Sequence, residues 1–152
     1  MDAAEELRLV TQRFFRRFGA FSADATPCGK PIPMVHAHAL MTLLAQGELS
    51  QQQLGSELCI DKSNVARLCT KMVEAGHVLQ RADAEDARSR RVSLTARGER
   101  LAREVNVASK ARFGALLQGV PASRRSGVIE SLKLLVAALE ESEELAQPRM
   151  AP

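Results

Sequence analysis

The chain has 152 residues, 45% of them hydrophobic and 26% charged, with a formal net charge of +3. That length and apolar share suit one folded domain and argue against wholesale disorder. The aromatic share of 3%, all of it Phe, argues against the stacking platforms that single-strand nucleic-acid binders use. No apolar run approaches the roughly 20 residues of a membrane span, and the acidic start Asp2-Ala3-Ala4-Glu5-Glu6 is unlike a signal peptide, so a cytoplasmic protein is expected. Cys28, Cys59 and Cys69 form no Cys-x-x-Cys pair, which argues against a disulfide framework or a zinc ribbon.

Residues 2–21 read as an amphipathic helix, because Leu7, Val10, Phe14, Phe18 and Phe21 recur at three- and four-residue steps. Residues 22–33 are a Pro/Gly/Ser-rich loop, and Pro33 suits the first turn of a second helix reaching about Gln46. Gly47-Glu48-Leu49 reads as a turn. Ser50 with Gln53 three residues later is a capping box for a short third helix. Cys59-Ile60 is a tight turn, Asp61 an N-cap, and Gly76 the stop of a fourth helix. Residues 77–82 and 91–95 read as strands of a hairpin with a charged tip. Thr95 caps a long helix to about Gln118, Gly119-Val120-Pro121 breaks it, and a last helix reaches about Leu145. Two helices joined by a very short turn and followed directly by a hairpin predict a mainly α fold: a winged helix-turn-helix with a two-stranded β-wing.

The charge is not spread evenly. Residues 62–73 carry Lys62, Arg67 and Lys71 without an acid, while four carboxylates crowd Glu140–Glu144. On the fourth helix Val65, Leu68, Cys69 and Met72 fall on one stripe, and Asn64, Arg67 and Lys71 on another, flanked by Lys62, Ser63 and Thr70. A buried stripe fixes the pose of such a helix. Its outer face can then offer Arg to guanine, Asn to adenine and Lys to phosphates. At the hairpin tip, Arg88 and Arg90 suit the negative potential of a minor groove, and Asp86 is placed to hold Arg88 by a charge-assisted bond.

The stretch from Leu43 to Leu101 resembles the DNA-binding core of the MarR family of transcription regulators. The likeness rests on Asp86-Ala87-Arg88, then Val92-Ser93-Leu94-Thr95 and Gly98, with Gly76 at the end of the recognition helix. The resemblance implies a triangular homodimer, built by dimerisation helices and loop at 2–32 and 97–146 around a winged-helix core at 33–96. It also implies that Ser63, Asn64 and Arg67 enter the major groove while Arg88, with Arg90, enters the minor groove. The expected partners are then double-stranded DNA with a near-palindromic operator, a second copy of the chain, and a small aromatic or phenolic ligand; no cofactor is expected. Phe14, Arg17, Phe18, Met34 and His36 are candidate lining for the ligand.

As a thiol-based oxidant sensor, the same fold would use Cys28, in a loop beside Lys30, or Cys59, in the turn. Metal binding is not expected: His36 and His38 are the nearest cluster with Cys28, and two helix positions put them about 200° apart. An enzyme is not expected either, since no nucleophile set, phosphate loop or zinc-protease motif is present. A winged helix used only for protein contacts would not need Asn64, Arg67, Lys71 and Arg88 exposed together.

Overall fold

A computed structural model describes the backbone of residues 1–146 and the side chains of residues 1–144. The elements are α1 (Ala3–Phe18), α2 (Met34–Gln46), β1 (Leu49–Ser50), α3 (Gln51–Glu57), α4 (Lys62–Glu74), β2 (Val78–Ala82), β3 (Arg90–Leu94), α5 (Ala96–Gln118), a 3-10 turn (Ala122–Arg124) and α6 (Arg125–Ala146). The fold is mainly α and carries the expected wing. The chain divides after Arg112 into two compact units, and α5 runs through the division.

Local chemistry explains the helix ends. The Asp2 carboxylate accepts from the Glu5 N–H at 2.8 Å and starts α1. Gly19, at φ 88°, stops it earlier than the Phe21 that the apolar spacing suggests. Pro33 stands at the N-cap of α2 rather than inside its first turn, so that helix begins one residue later than expected. The Ser50–Gln53 capping box is present in both directions, at 2.9 and 3.0 Å. Asp61 caps α4 through the Asn64 N–H at 2.8 Å.

The sheet has the order β1-β3-β2, all antiparallel. Val78 pairs Leu94 and Ala82 pairs Arg90, so β2 and β3 make the wing. The two-stranded wing of the sequence reading gains a third strand: Leu49 and Ser50 pair Val92 and Arg91. Two residues are too short to show alternation, and Gly47 before them reads as a turn.

The core lies within the first unit. Leu40 and Leu43 of α2, Leu54 of α3, the stripe Val65, Leu68, Cys69 and Met72 of α4, Val78, Val92 and Ala102 of α5 are all buried. Each large aliphatic group among them contributes about 1.5–3 kcal/mol. Gly55 lets α3 approach α4, since a Cβ there would stand 3.2 Å from Val65 Cγ1. The first half of α5 thus packs with the winged helix, through Ala102 and the partly buried Leu101.

Where α4, the wing and α5 meet, one knot of main-chain bonds joins them. Gly76, at φ 74°, ends α4, with the His77 N–H donating to Met72 O at 2.9 Å and the Gly76 N–H to Val73 O at 2.9 Å. The Thr95 N–H donates to His77 O at 3.0 Å and its hydroxyl to Gly76 O at 2.6 Å. The same hydroxyl accepts the Gly98 N–H at 3.0 Å and so caps α5. Gly98 must be glycine, because a Cβ there would stand 1.8 Å from His77 O.

Gly98→Ala is therefore expected to destabilise the chain by about 3 kcal/mol or more. Gly76→Ala, whose Cβ would meet only the Arg97 side chain at an ordinary 3.8 Å but needs a left-handed backbone, should cost about 1–2 kcal/mol. Urea denaturation of the two variants gives the ranking, and equal midpoints would show that the knot is slack.

Candidate nucleic-acid interface

The α4 stripe that faces the core fixes which residues face outward. Lys62, Ser63, Asn64, Arg67, Thr70 and Lys71 are all exposed, and Val65, Leu68, Cys69 and Met72 are all buried. The outer groups are not equally idle. Asp61 accepts from the Ser63 hydroxyl at 2.9 Å and from the Asn64 side-chain amide at 2.8 Å. Arg67 donates to the Asn64 Oδ1 at 2.6 Å. The bonds from Asn64 and Ser63, led by the Asn64 backbone N–H, hold the Asp61 carboxyl below its ordinary range, so it stays ionised. Thr70 returns its hydroxyl to Ala66 O of its own helix at 3.1 Å.

The wing tip is preformed by two short loops of the same kind. Asp83 Oδ1 accepts from the Glu85 N–H at 2.9 Å, and Asp86 Oδ1 from the Arg88 N–H at 3.0 Å. Asp86 thus holds the backbone of Arg88 and not its guanidinium, contrary to the sequence reading. At a spacing of two residues the backbone N–H lies closer to the carboxylate than the end of a long side chain. The Asp83 N–H to Ser89 O and the Ser89 N–H to Asp86 O bonds, both 3.0 Å, close the tip.

Four arginines lie on the wing strands or at its tip, in two roles. Glu48 Oε1 accepts from Arg81 at 2.6 Å and from the Arg91 Nε at 3.0 Å. The Arg91 and Arg81 bonds hold the Glu48 carboxyl below its ordinary range. Among the described residues, no ion pair engages Arg88, Arg90, Lys62 or Lys71. The outward cations of α4 and of the tip are therefore available to an anion, while Arg81 and Arg91 brace the wing to the start of β1. Sequence reasoning had no local signal for that brace, because Glu48 lies 43 residues from Arg91.

The other candidates fall elsewhere. Phe14 and Phe18 stack on α1 with ring centroids 5.5 Å apart, and Arg112 lies 5.4 Å from the Phe18 ring. Arg17 is exposed and Met34 is half-buried at the start of α2. His36 is buried at 7% exposure and bonds His77 through Nε2 to Nδ1 at 3.0 Å. That pairing of α2 with the end of α4 was not anticipated, since the sequence places the rings 41 positions apart. His38 points to the opposite side and is exposed. Cys28 is half-buried with its Sγ 3.0 Å from the Thr26 hydroxyl, and Cys59 is exposed with a left-handed backbone at φ 54°. Burial pushes the Cys69 thiol up to about 11. Among the described residues no group of three or more His, Cys, Asp or Glu could hold a metal ion, and no helix is long and apolar enough to cross a membrane.

A helix-turn-helix whose second helix turns a cationic face outward, beside an arginine-tipped hairpin, defines a winged helix-turn-helix protein. Residues 32–89 match the model of the MarR family. No curated protein sequence matches the chain. Among solved structures it is similar to the PcaV transcriptional regulator from Streptomyces coelicolor in complex with its natural ligand, with a TM-score of 0.76 at 18% identity over 91% of this chain and 97% of that one. A MarR transcriptional regulator from Methanosarcina mazei Go1 gives 0.72 at 22% identity over 90% and 98%. The S. aureus MepR–DNA complex gives 0.69 at 16% identity over 91% and 98%. The fold is the one these solved structures share.

Burial, and secondarily the neighbouring His77, lower the His36 pKa from 6.5 to about 4; burial and Arg97 lower that of His77. The folded values lie below the unfolded one, so the native state favours neutral rings. Their contribution is complete above pH 6.5, declines as pH falls and is exhausted near pH 4. Unfolding free energy is expected to drop across that window by on the order of 2–3 kcal/mol from His36. Denaturant titrations from pH 7.5 to 4 measure it, and His36→Gln should flatten the profile.

Proposed function

We propose that this protein is a cytoplasmic transcription regulator that binds double-stranded DNA sequence-specifically as a homodimer. It represses by occluding a promoter, and a small aromatic or phenolic ligand releases it. One observation carries the DNA-binding reading: Asn64, Arg67, Lys62 and Lys71 share the outer face of a helix pinned by its buried side, and Arg88 and Arg90 are exposed at the wing tip with no ion pair among the described residues. A bidentate Asn or Arg on a base edge is worth about 1–3 kcal/mol of discrimination, and the lysines serve phosphates.

The homodimer is supported by apolar surface that one subunit leaves uncovered. Leu7, Val10, Phe14 and Phe15 of α1 are exposed, and so, on α6, are Val128, Ile129, Leu132, Leu135, Val136 and Leu139. Stripes of this size normally meet a partner. A two-fold dimer reads a near-palindrome with half-sites about 34 Å apart. The ligand reading draws on similar folds: PcaV was solved with its natural ligand, NadR with 4-hydroxyphenylacetate, and BpsR is regulated by 6-hydroxynicotinic acid. In this chain the stacked Phe14–Phe18 pair, with Arg112 over Phe18, offers an aromatic surface beside a cation.

Footprinting of the gene's own upstream region, with and without a panel of aromatic acids, tests the reading. A protected near-palindrome that is lost on adding one acid is expected. Arg88→Ala should weaken binding at all sequences and lower the slope of log affinity against log salt by about 1. Arg67→Ala should relax preference at particular bases. Retention on promoter DNA unchanged by both substitutions would show that these faces do not touch DNA.

A further inference from the structure

Asn64 ends in a carboxamide, whose two faces differ only by which end carries oxygen. On an exposed helix such a group ordinarily turns over freely, and a freely turning amide reads bases poorly. Here both ends are assigned by chemistry. Asp61 is a carboxylate that only accepts, so the group 2.8 Å from its Oδ2 must be the Asn64 Nδ2. Arg67 only donates, so the atom 2.6 Å from its guanidinium must be the Asn64 Oδ1. A flip would set oxygen against carboxylate and NH2 against guanidinium, losing both bonds and adding two repulsions. Asp61 is itself held, because its Oδ1 accepts from the Ser63 hydroxyl and from the Asn64 backbone N–H.

Residues 61, 64 and 67 follow one another at helical spacing, so the carboxamide lies along the helix, nitrogen toward the N-terminus and oxygen toward the C-terminus. Each flanking bond uses one Nδ2 hydrogen and one Oδ1 lone pair. The remaining hydrogen and lone pair lie side by side on the outer edge of the amide. That edge matches adenine, which presents N7 as an acceptor and N6 as a donor in the major groove. It mismatches guanine, where O6 meets the fixed Oδ1. A released amide could instead turn its NH2, with both hydrogens, toward guanine N7 and O6.

We propose that Asp61 and Arg67 clamp the Asn64 carboxamide in one orientation, making Asn64 a dedicated adenine reader of this recognition helix, with Asp61 as its positioning residue. The inference rests on the DNA-binding reading above and adds to it the base that one helix position selects and the reason guanine is refused.

The test uses the full chain and a pool of duplexes with randomised positions, selected by the wild type and two variants, alongside a salt titration of each on the unselected pool. For the wild type, one position per half-site should favour adenine over guanine by about five- to a hundredfold. Asn64→Ala should abolish that preference while other positions keep theirs. Asp61→Ser keeps a capping oxygen for the helix N-terminus but loses the oxygen that holds Nδ2. It should lower the adenine-to-guanine ratio several-fold and leave the salt slope unchanged, a result that simple loosening of the helix would not give. An adenine preference intact in Asn64→Ala, or a ratio intact in Asp61→Ser, overturns the proposal while DNA binding stands. A wild type that retains no duplex at 50–200 mM salt overturns the DNA-binding reading itself, and this inference with it.

Discussion

The geometry of the first unit depends on how closely the main chain at Gly98 passes His77. Without a Cβ at Gly98, the start of α5 can lie against the carbonyl that follows α4, and Thr95 can bond both Gly76 and Gly98 with one hydroxyl. Three elements are fixed by that contact: the end of α4, the base of the wing and the beginning of α5. Hydrogen bonds of this kind contribute about 1 kcal/mol each, but their geometric effect is larger. They set the angle at which the outer face of α4 stands beside the wing tip, and the apolar stripe of α4 then sets its rotation about its own axis.

Charge is divided along the same lines. Arg81 and Arg91 are consumed by Glu48, and Asp61 is consumed by the first turn of α4. Among the described residues of α4 and the wing, what remains outward is Lys62, Lys71, Arg88 and Arg90, with Arg67 sharing one of its donors. A net charge of +3 over the whole chain says little about an anion partner; the local surplus on one helix face and one turn says more.

Much of this was legible in the sequence because it is local. Capping residues at Ser50, Asp61 and Thr95, the stop at Gly76 and the stripe at Val65, Leu68, Cys69 and Met72 are all read within a few positions of themselves. What was not legible is long-range or very short. The His36–His77 bond, the Glu48 brace and the two-residue strand β1 each join distant positions with no periodic signal. His36, a candidate for the ligand lining, is buried and bonded to His77, a partner its sequence neighbours do not reveal. The outward residues of α4 could be named from spacing, but their mutual bonding could not, since side-chain direction depends on where the helix begins.

Glu48 has one further consequence. A single acid there holds a cation from each strand of the wing, so its loss would subtract one negative charge and set two positive ones loose. Firmness of the wing and its pull on a polyanion would then move in opposite directions. Drift at this residue cannot improve both, and its identity records a compromise between rigidity and attraction.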